Sequence, residues 1–290
     1  MMKRMIRSQI KKIFLFFLLP LFLHALDLRD EQGHLKPPAK KFLELCDIPS
    51  HLEEDQILAF LQIHWMQAHK ERWEMDENLE EKRDIALPIL RELGCIDSIH
   101  AEKNFYDYVL VLGSIGKTMK RRLDFLFEEW QRGVRFDQII LLSGQRDLDP
   151  KLETYPAGLQ TETDLLIHLF ENHPLHEIAS HIVIDSPKEK GITGILRRPN
   201  TANTIRDFLS TAPKPGSCLA ISTQPFVGYQ EAVIKYLLPP TFSVEAIGPG
   251  TENVYPTADL DLDSSKVPYP MAIYLDNFAK WLLYEEMRGK

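Results

Sequence analysis

The chain has 290 residues, 44% of them hydrophobic, 26% charged and 10% aromatic, with 14 glycines and 19 prolines. That composition excludes a collagen-like or wholly disordered chain and supplies enough apolar mass for one large domain, or one domain with a smaller partner. The formal net charge is −8, and an acidic body repels phosphate backbones, which argues against nucleic acid as the main partner.

Residues 1–25 carry five bases (Lys3, Arg4, Arg7, Lys11, Lys12) and no acid. The basic stretch leads into the 11-residue apolar run Ile13–Leu23 and then into Leu23-His24-Ala25 before the polar Asp27. Charged region, short apolar region and a cleavage position are the order of a secretory signal peptide. The run is shorter than the roughly 20 apolar residues of a bilayer span, so the membrane enters only through this segment, and only if it stays uncleaved. Its removal takes the net charge to −13. The expected location is therefore outside the cytoplasm, periplasmic or secreted. There Cys46 and Cys95 are candidates for a disulfide, while Cys218, in an apolar run, reads as a buried small hydrophobe.

Residues 26–40, with Gly33, Pro37 and Pro38, read as a linker, and 41–104 as a small helical segment. Leu52, Ile57, Phe60, Leu61 and Trp65 recur near helical spacing, and Asp84–Leu93 stops at Gly94. The charged stretch Glu71–Arg83 reads as a solvated helix face.

From 105 to 290 the pattern changes. Short apolar runs at Tyr108–Leu112, Gln138–Leu142, His181–Asp185, Ser217–Ile221 and Ser243–Ile247 alternate with helical stretches. Those stretches are 116–133, Thr161–Phe170, Thr201–Leu209 and Tyr229–Leu237, with Ala272–Met287 as the closing helix. Continuous β-rich runs between helices predict an α/β fold, a doubly wound, mostly parallel sheet of about five strands.

Ligands of open parallel sheets bind at the carboxyl ends of the strands. Those ends carry Gly113, Ser114, Gly116 and Lys117; Ser143, Gly144, Gln145 and Arg146; Ser222, Thr223 and Gln224; and Gly248. Each also meets a helix N-terminus, where free N–H groups favour an anion, although turns alone select Gly and Ser at such places. Gly116-Lys117-Thr118 resembles the tail of a nucleotide-triphosphate loop, but Val111 stands where that loop needs its first glycine. His168, His173, His176 and His181, and Asp259, Asp261 and Asp263, read as solvated surface rather than metal ligands, so no metal is expected.

These residues resemble the bacterial SanA/ElyC/YdcF-like family. The resemblance rests on the strand ending in Leu-Gly (Val109–Gly113), the strand ending in Ser-Gly (Ile139–Gly144), the acid at Thr161-Glu162, the Asn200-Thr201 element and the strand Leu219–Gln224. It covers about residues 105–250. It implies a Rossmann-like pocket contacted by Gly113, Ser114, Ser143, Gly144, Glu162, Asn200 and Thr201. Where the family continues its Asn-Thr element with an acid and an Asn, this chain has Asn203 and Thr204. Where it has His and Arg after the last motif strand, Phe226, Val227 and Gln230 stand, and Arg146, Arg197 and Arg198 are the basic residues nearby.

Three functions stay open. One is an exported envelope protein binding a phosphorylated or lipid-linked precursor, as in peptidoglycan or lipid-carrier metabolism, with Glu162 as acid or base and Arg146 and Arg198 holding the anion. The second is a nucleotide-type binder, with S-adenosylmethionine the cofactor the resemblance implies. The third is a non-catalytic interaction module.

Overall fold

The computed structural model describes residues 26–48, 52–67, 70, 74–190, 194, 196–251 and 269–289. Residues 1–25, read above as a signal peptide, and the acidic run at 259–263 lie outside the described residues. No described helix is long and apolar enough to cross a membrane.

Five strands build one all-parallel sheet: β1 (Phe105–Leu112), β2 (Arg135–Gly144), β3 (Ser180–Ser186), β6 (Ser217–Ile221) and β7 (Ser243–Ile247), in the order β3-β2-β1-β6-β7. Val109, Leu110, Val111, Ile139, Ile140, Leu141, Leu219, Ala220 and Ile221 are fully buried. Apolar side chains on both faces need helices above and below, hence the continuous rather than alternating hydrophobic runs. On the sheet lie α4 (Gly116–Gln131), α5 (Glu162–Glu171), α6 (Thr201–Ser210) and α7 (Val227–Leu237), and α8 (Met271–Gly289) packs on α7. α4 packs on α5 over β1 and β2, whereas α6 packs on α7 and contacts β2 and β3, and α7 covers β7. The expected doubly wound α/β fold is therefore observed. A two-residue antiparallel ladder, β4 (Glu189–Lys190) with β5 (Leu196–Arg197), lies between β3 and α6.

The chain runs from β1 to β2 and β3 on one side, then returns to place β6 on the other side of β1. The strand order reverses between β1 and β6, the place beyond whose carboxyl ends open α/β sheets hold their ligands.

The stretch read as a linker is part of the body. Pro37 and Pro38 open α1 (Pro37–Leu45) rather than ending a tether, because proline is suited to the first helical turn. Leu26, Leu28, Leu35 and Ala39 are buried. The Leu28 amide donates to Glu285 Oε1 of α8 at 2.7 Å, and Arg29 pairs with Glu54 and Glu286. α2 (Glu54–His64) and α3 (Arg83–Glu92) complete this layer, and Gly94 ends α3 at φ 72°. Phe42 and Trp65 meet Phe278 of α8 with ring centroids 5.0 and 6.2 Å apart, so the helical layer and the sheet share one core.

Two further expectations are corrected. Within the described part of the charged stretch 71–83, residues 75–79 are not helical, and Glu80–Lys82 form a single 3-10 turn ahead of α3. Cys46, Cys95 and Cys218 are all free and buried, with no bridge between the first two. Burial pushes each thiol up to about 12.

Candidate functional site

The carboxyl end of the sheet collects buried polar side chains: Arg122, Ser143, Arg146, Glu153, Glu162, Thr163, Ser186, Ser222, Thr223 and Gln224. Burying polar and charged groups is unfavourable unless they are paired, so their partners define what the site is.

Glu162 is the first residue of α5. Thr161 caps that helix, accepting from Asp164 N at 3.2 Å while Asp164 accepts from Thr161 N at 2.9 Å. The cap fixes Glu162 beside the end of β1. A Cβ on Gly113 would lie well inside van der Waals contact of Glu162 Oε1 and 3.0 Å from Leu142 O. Only a glycine lets the carboxylate come so near the backbone here.

Arg146 holds Glu162 from the other side. Its Nε donates to Glu162 Oε2 at 2.9 Å, Nη1 to Glu153 Oε1 at 2.7 Å and to Asp147 O at 3.2 Å, and Nη2 to Ser114 O at 3.2 Å. Arg146, Glu153 and Glu162 are 9%, 4% and 8% exposed. This is a buried carboxylate–guanidinium–carboxylate triad. Burial pushes the Glu162 carboxyl above the ordinary carboxylate range, against the hydrogen bond and charge of Arg146 and the charges of Arg198 and Arg122. For Arg146, burial works against the charged form, but the bonds to Glu153 and Glu162 outweigh it and its pKa rises.

Two networks adjoin the triad. Ser143 Oγ donates to Thr163 Oγ1 at 2.9 Å, Thr163 donates to Asp185 Oδ1 at 2.6 Å, and Gln145 donates to Asp185 Oδ2 at 3.0 Å. On the β6 side Ser222 bonds Gln230, whose Nε2 reaches Thr201 Oγ1 at 3.4 Å. Arg122, fully buried, ties the two halves: it donates to Leu112 O at 2.6 Å, Gly113 O at 2.8 Å and Thr223 Oγ1 at 3.4 Å.

The residues expected from sequence thus take different roles. Gly113, Ser114, Arg146 and Glu162 are in mutual contact, and Ser143 joins them through Thr163, the residue after Glu162. Gly144 lets Pro199 pack on the end of β2, since a Cβ there would collide with Pro199 Cγ. Arg198 is exposed and near enough for its charge to act on Glu162. Asn200 caps α6, with Oδ1 accepting from Ala202 N and Asn203 N, while Asn203 Oδ1 accepts from Asn200 N; Thr201 Oγ1 accepts from Gln230 Nε2. Arg146, expected to hold a ligand anion, is instead engaged by two carboxylates of this chain.

Glu153, Thr163 and Arg122 were not among the expected site residues. Arg122 did leave a signal: it lies on the stripe of Met119, Leu123 and Leu126, all buried, where a charge is out of place unless something polar waits beneath it. Among the described residues, no group of three His, Cys, Asp or Glu side chains is placed to hold a metal ion.

Compared with family models, with curated proteins and with solved structures, the chain matches none.

Proposed function

We propose that the chain binds a phosphorylated or otherwise anionic small molecule at the carboxyl ends of β1, β2, β3 and β6, with Glu162 as the group that holds or moves a proton. The observation that carries this reading is Glu162 itself. It is a buried carboxyl with a raised pKa, pressed against a glycine backbone at the strand ends and within the field of three arginines. Perturbed, buried acids in a crevice of this kind are the usual mark of a functional site. Arg198 supplies exposed positive charge at the rim.

The resemblance to the SanA/ElyC/YdcF-like family and the composition of residues 1–25 support placing this activity in the cell envelope, on a precursor of peptidoglycan or lipid-carrier metabolism. Three buried thiols pushed up to about 12 are protected from exchange in an oxidising compartment.

The test is calorimetric titration of the purified chain with pyrophosphate, farnesyl phosphate and S-adenosylmethionine. Saturable binding of the phosphorylated probes, weakened at least tenfold in Arg198→Ala and altered in its pH dependence in Glu162→Gln, is the expected result. Binding of S-adenosylmethionine alone would replace this reading with a nucleotide-type binder. No heat with any probe would overturn it.

A further inference from the structure

The loop between β2 and α5 is closed at its neck and anchored by one buried charge. At the neck, Asp147 pairs with Thr161, the Leu148 amide donates to Gln160 O at 3.0 Å and the Glu162 amide to Arg146 O at 2.9 Å. Beyond the neck, the Leu152 and Glu153 amides turn back on Asp149 O at 2.9 and 3.0 Å. Between residues 149 and 160 every side chain is exposed or half-buried except Glu153. Tyr155 and Leu159 rest half-buried against the core, and the loop's one buried side chain is a carboxylate, 1% exposed.

The carboxylate has two partners. Oε1 accepts from Arg146 Nη1 and Oε2 from the Gly116 amide, each at 2.7 Å. α4 has no side-chain cap of its own, unlike α5 and α6, so Glu153 also neutralises the first turn of α4 from 37 residues away. The guanidinium and the amide are the partners a phosphoryl oxygen would take.

Resting on the function proposed above, we propose that Glu153 is an internal competitor of the ligand's anionic group. Loop 149–160 is an autoinhibitory strap that swings out on its neck when that group pairs with Arg146. Arg146 Nε stays on Glu162 Oε2 throughout, so the proton-holding carboxyl keeps its place while the anion position is exchanged. Because the latch is ionic, a ligand of the same charge displaces it, whereas a neutral ligand does not.

Pyrophosphate is the probe, with binding read by calorimetry and loop release by proteolysis after the exposed Lys151. Affinity is expected to rise at least tenfold in Glu153→Ala. Glu153→Gln, which keeps an acceptor for Gly116 but removes the charge, is expected to fall between wild type and Glu153→Ala and to remain folded if the alanine variant does not. In wild type, pyrophosphate should speed cleavage at Lys151. If wild type binds and neither folded variant binds more tightly, the strap is wrong and the site survives. If no folded form binds, both the strap and the anion site are wrong.

Discussion

Glu162 Oε1 and the α-carbon of Gly113 are so close that position 113 has no room for a methyl group while the carboxylate stays where Arg146 holds it. Gly113→Ala therefore has to push Glu162 off Arg146, leaving a buried pair broken. A loss of about 1–3 kcal/mol is expected, from overpacking of a filled position. Adding Glu162→Ala removes the obstacle, so the double variant should lose less than the two single losses combined. Urea unfolding of the four proteins in that cycle checks this.

Arg146→Met leaves Glu153 and Glu162 as two buried carboxyls without their shared cation. Breaking such a group costs about 3–5 kcal/mol near neutral pH. Glu162, already above the ordinary carboxylate range, loses the cation that holds it down, so its folded-state pKa rises further above that of the unfolded chain. The native state holds more protons, and stability falls as pH rises. The defect should accordingly shrink toward pH 5. Arg146→Met with Glu153→Gln and Glu162→Gln should recover most of it, as measured by denaturant midpoints at pH 5 and pH 8.

Glu285 sets a second pH dependence. Burial pushes it up to about 7, against the hydrogen bond from the Leu28 amide and with the charge of Asp27 adding to the rise. A carboxyl raised in the folded state contributes stability that is complete below its unfolded pKa and is lost as pH rises through 7. The shift corresponds to about 3 kcal/mol at one pKa unit per 1.36 kcal/mol. Thermal melts of wild type should drop between pH 5 and pH 8, and Glu285→Gln should flatten that part of the profile.

The three thiols give a simpler check. With Cys46, Cys95 and Cys218 buried and raised to about 12, a disulfide-exchange reagent at pH 8 should titrate almost none in the folded chain. It should titrate all three in denaturant. Two fewer in denaturant would mean that a bridge forms in the purified protein.

The parallel sheet was legible because its strands are buried on both faces and bounded by small residues. Runs such as Val109–Leu112 and Ile139–Leu142 have few other readings. The strand ends followed from the same pattern. What sequence spacing does not reveal is pairing across loops. Arg146 and Glu162 were both expected at the site, as a ligand's cation and as a proton-transfer group, yet they bind each other. Glu153 lies in a stretch without periodicity, and its burial follows from Arg146 and Gly116 rather than from its neighbours in sequence. The first described residues were misread because Leu26, Leu28 and Leu35 are too few for a period to show, and because the proline pair looks the same in a tether as at a helix start.

The bond between Leu28 and Glu285 joins residues 257 positions apart. A ribosome adding about 5–20 residues per second needs tens of seconds to make that separation. Until α8 is made, Leu28 lacks its Glu285 acceptor and Phe42 and Trp65 lack Phe278, so the helical layer completes its packing only after the five strands have been synthesised.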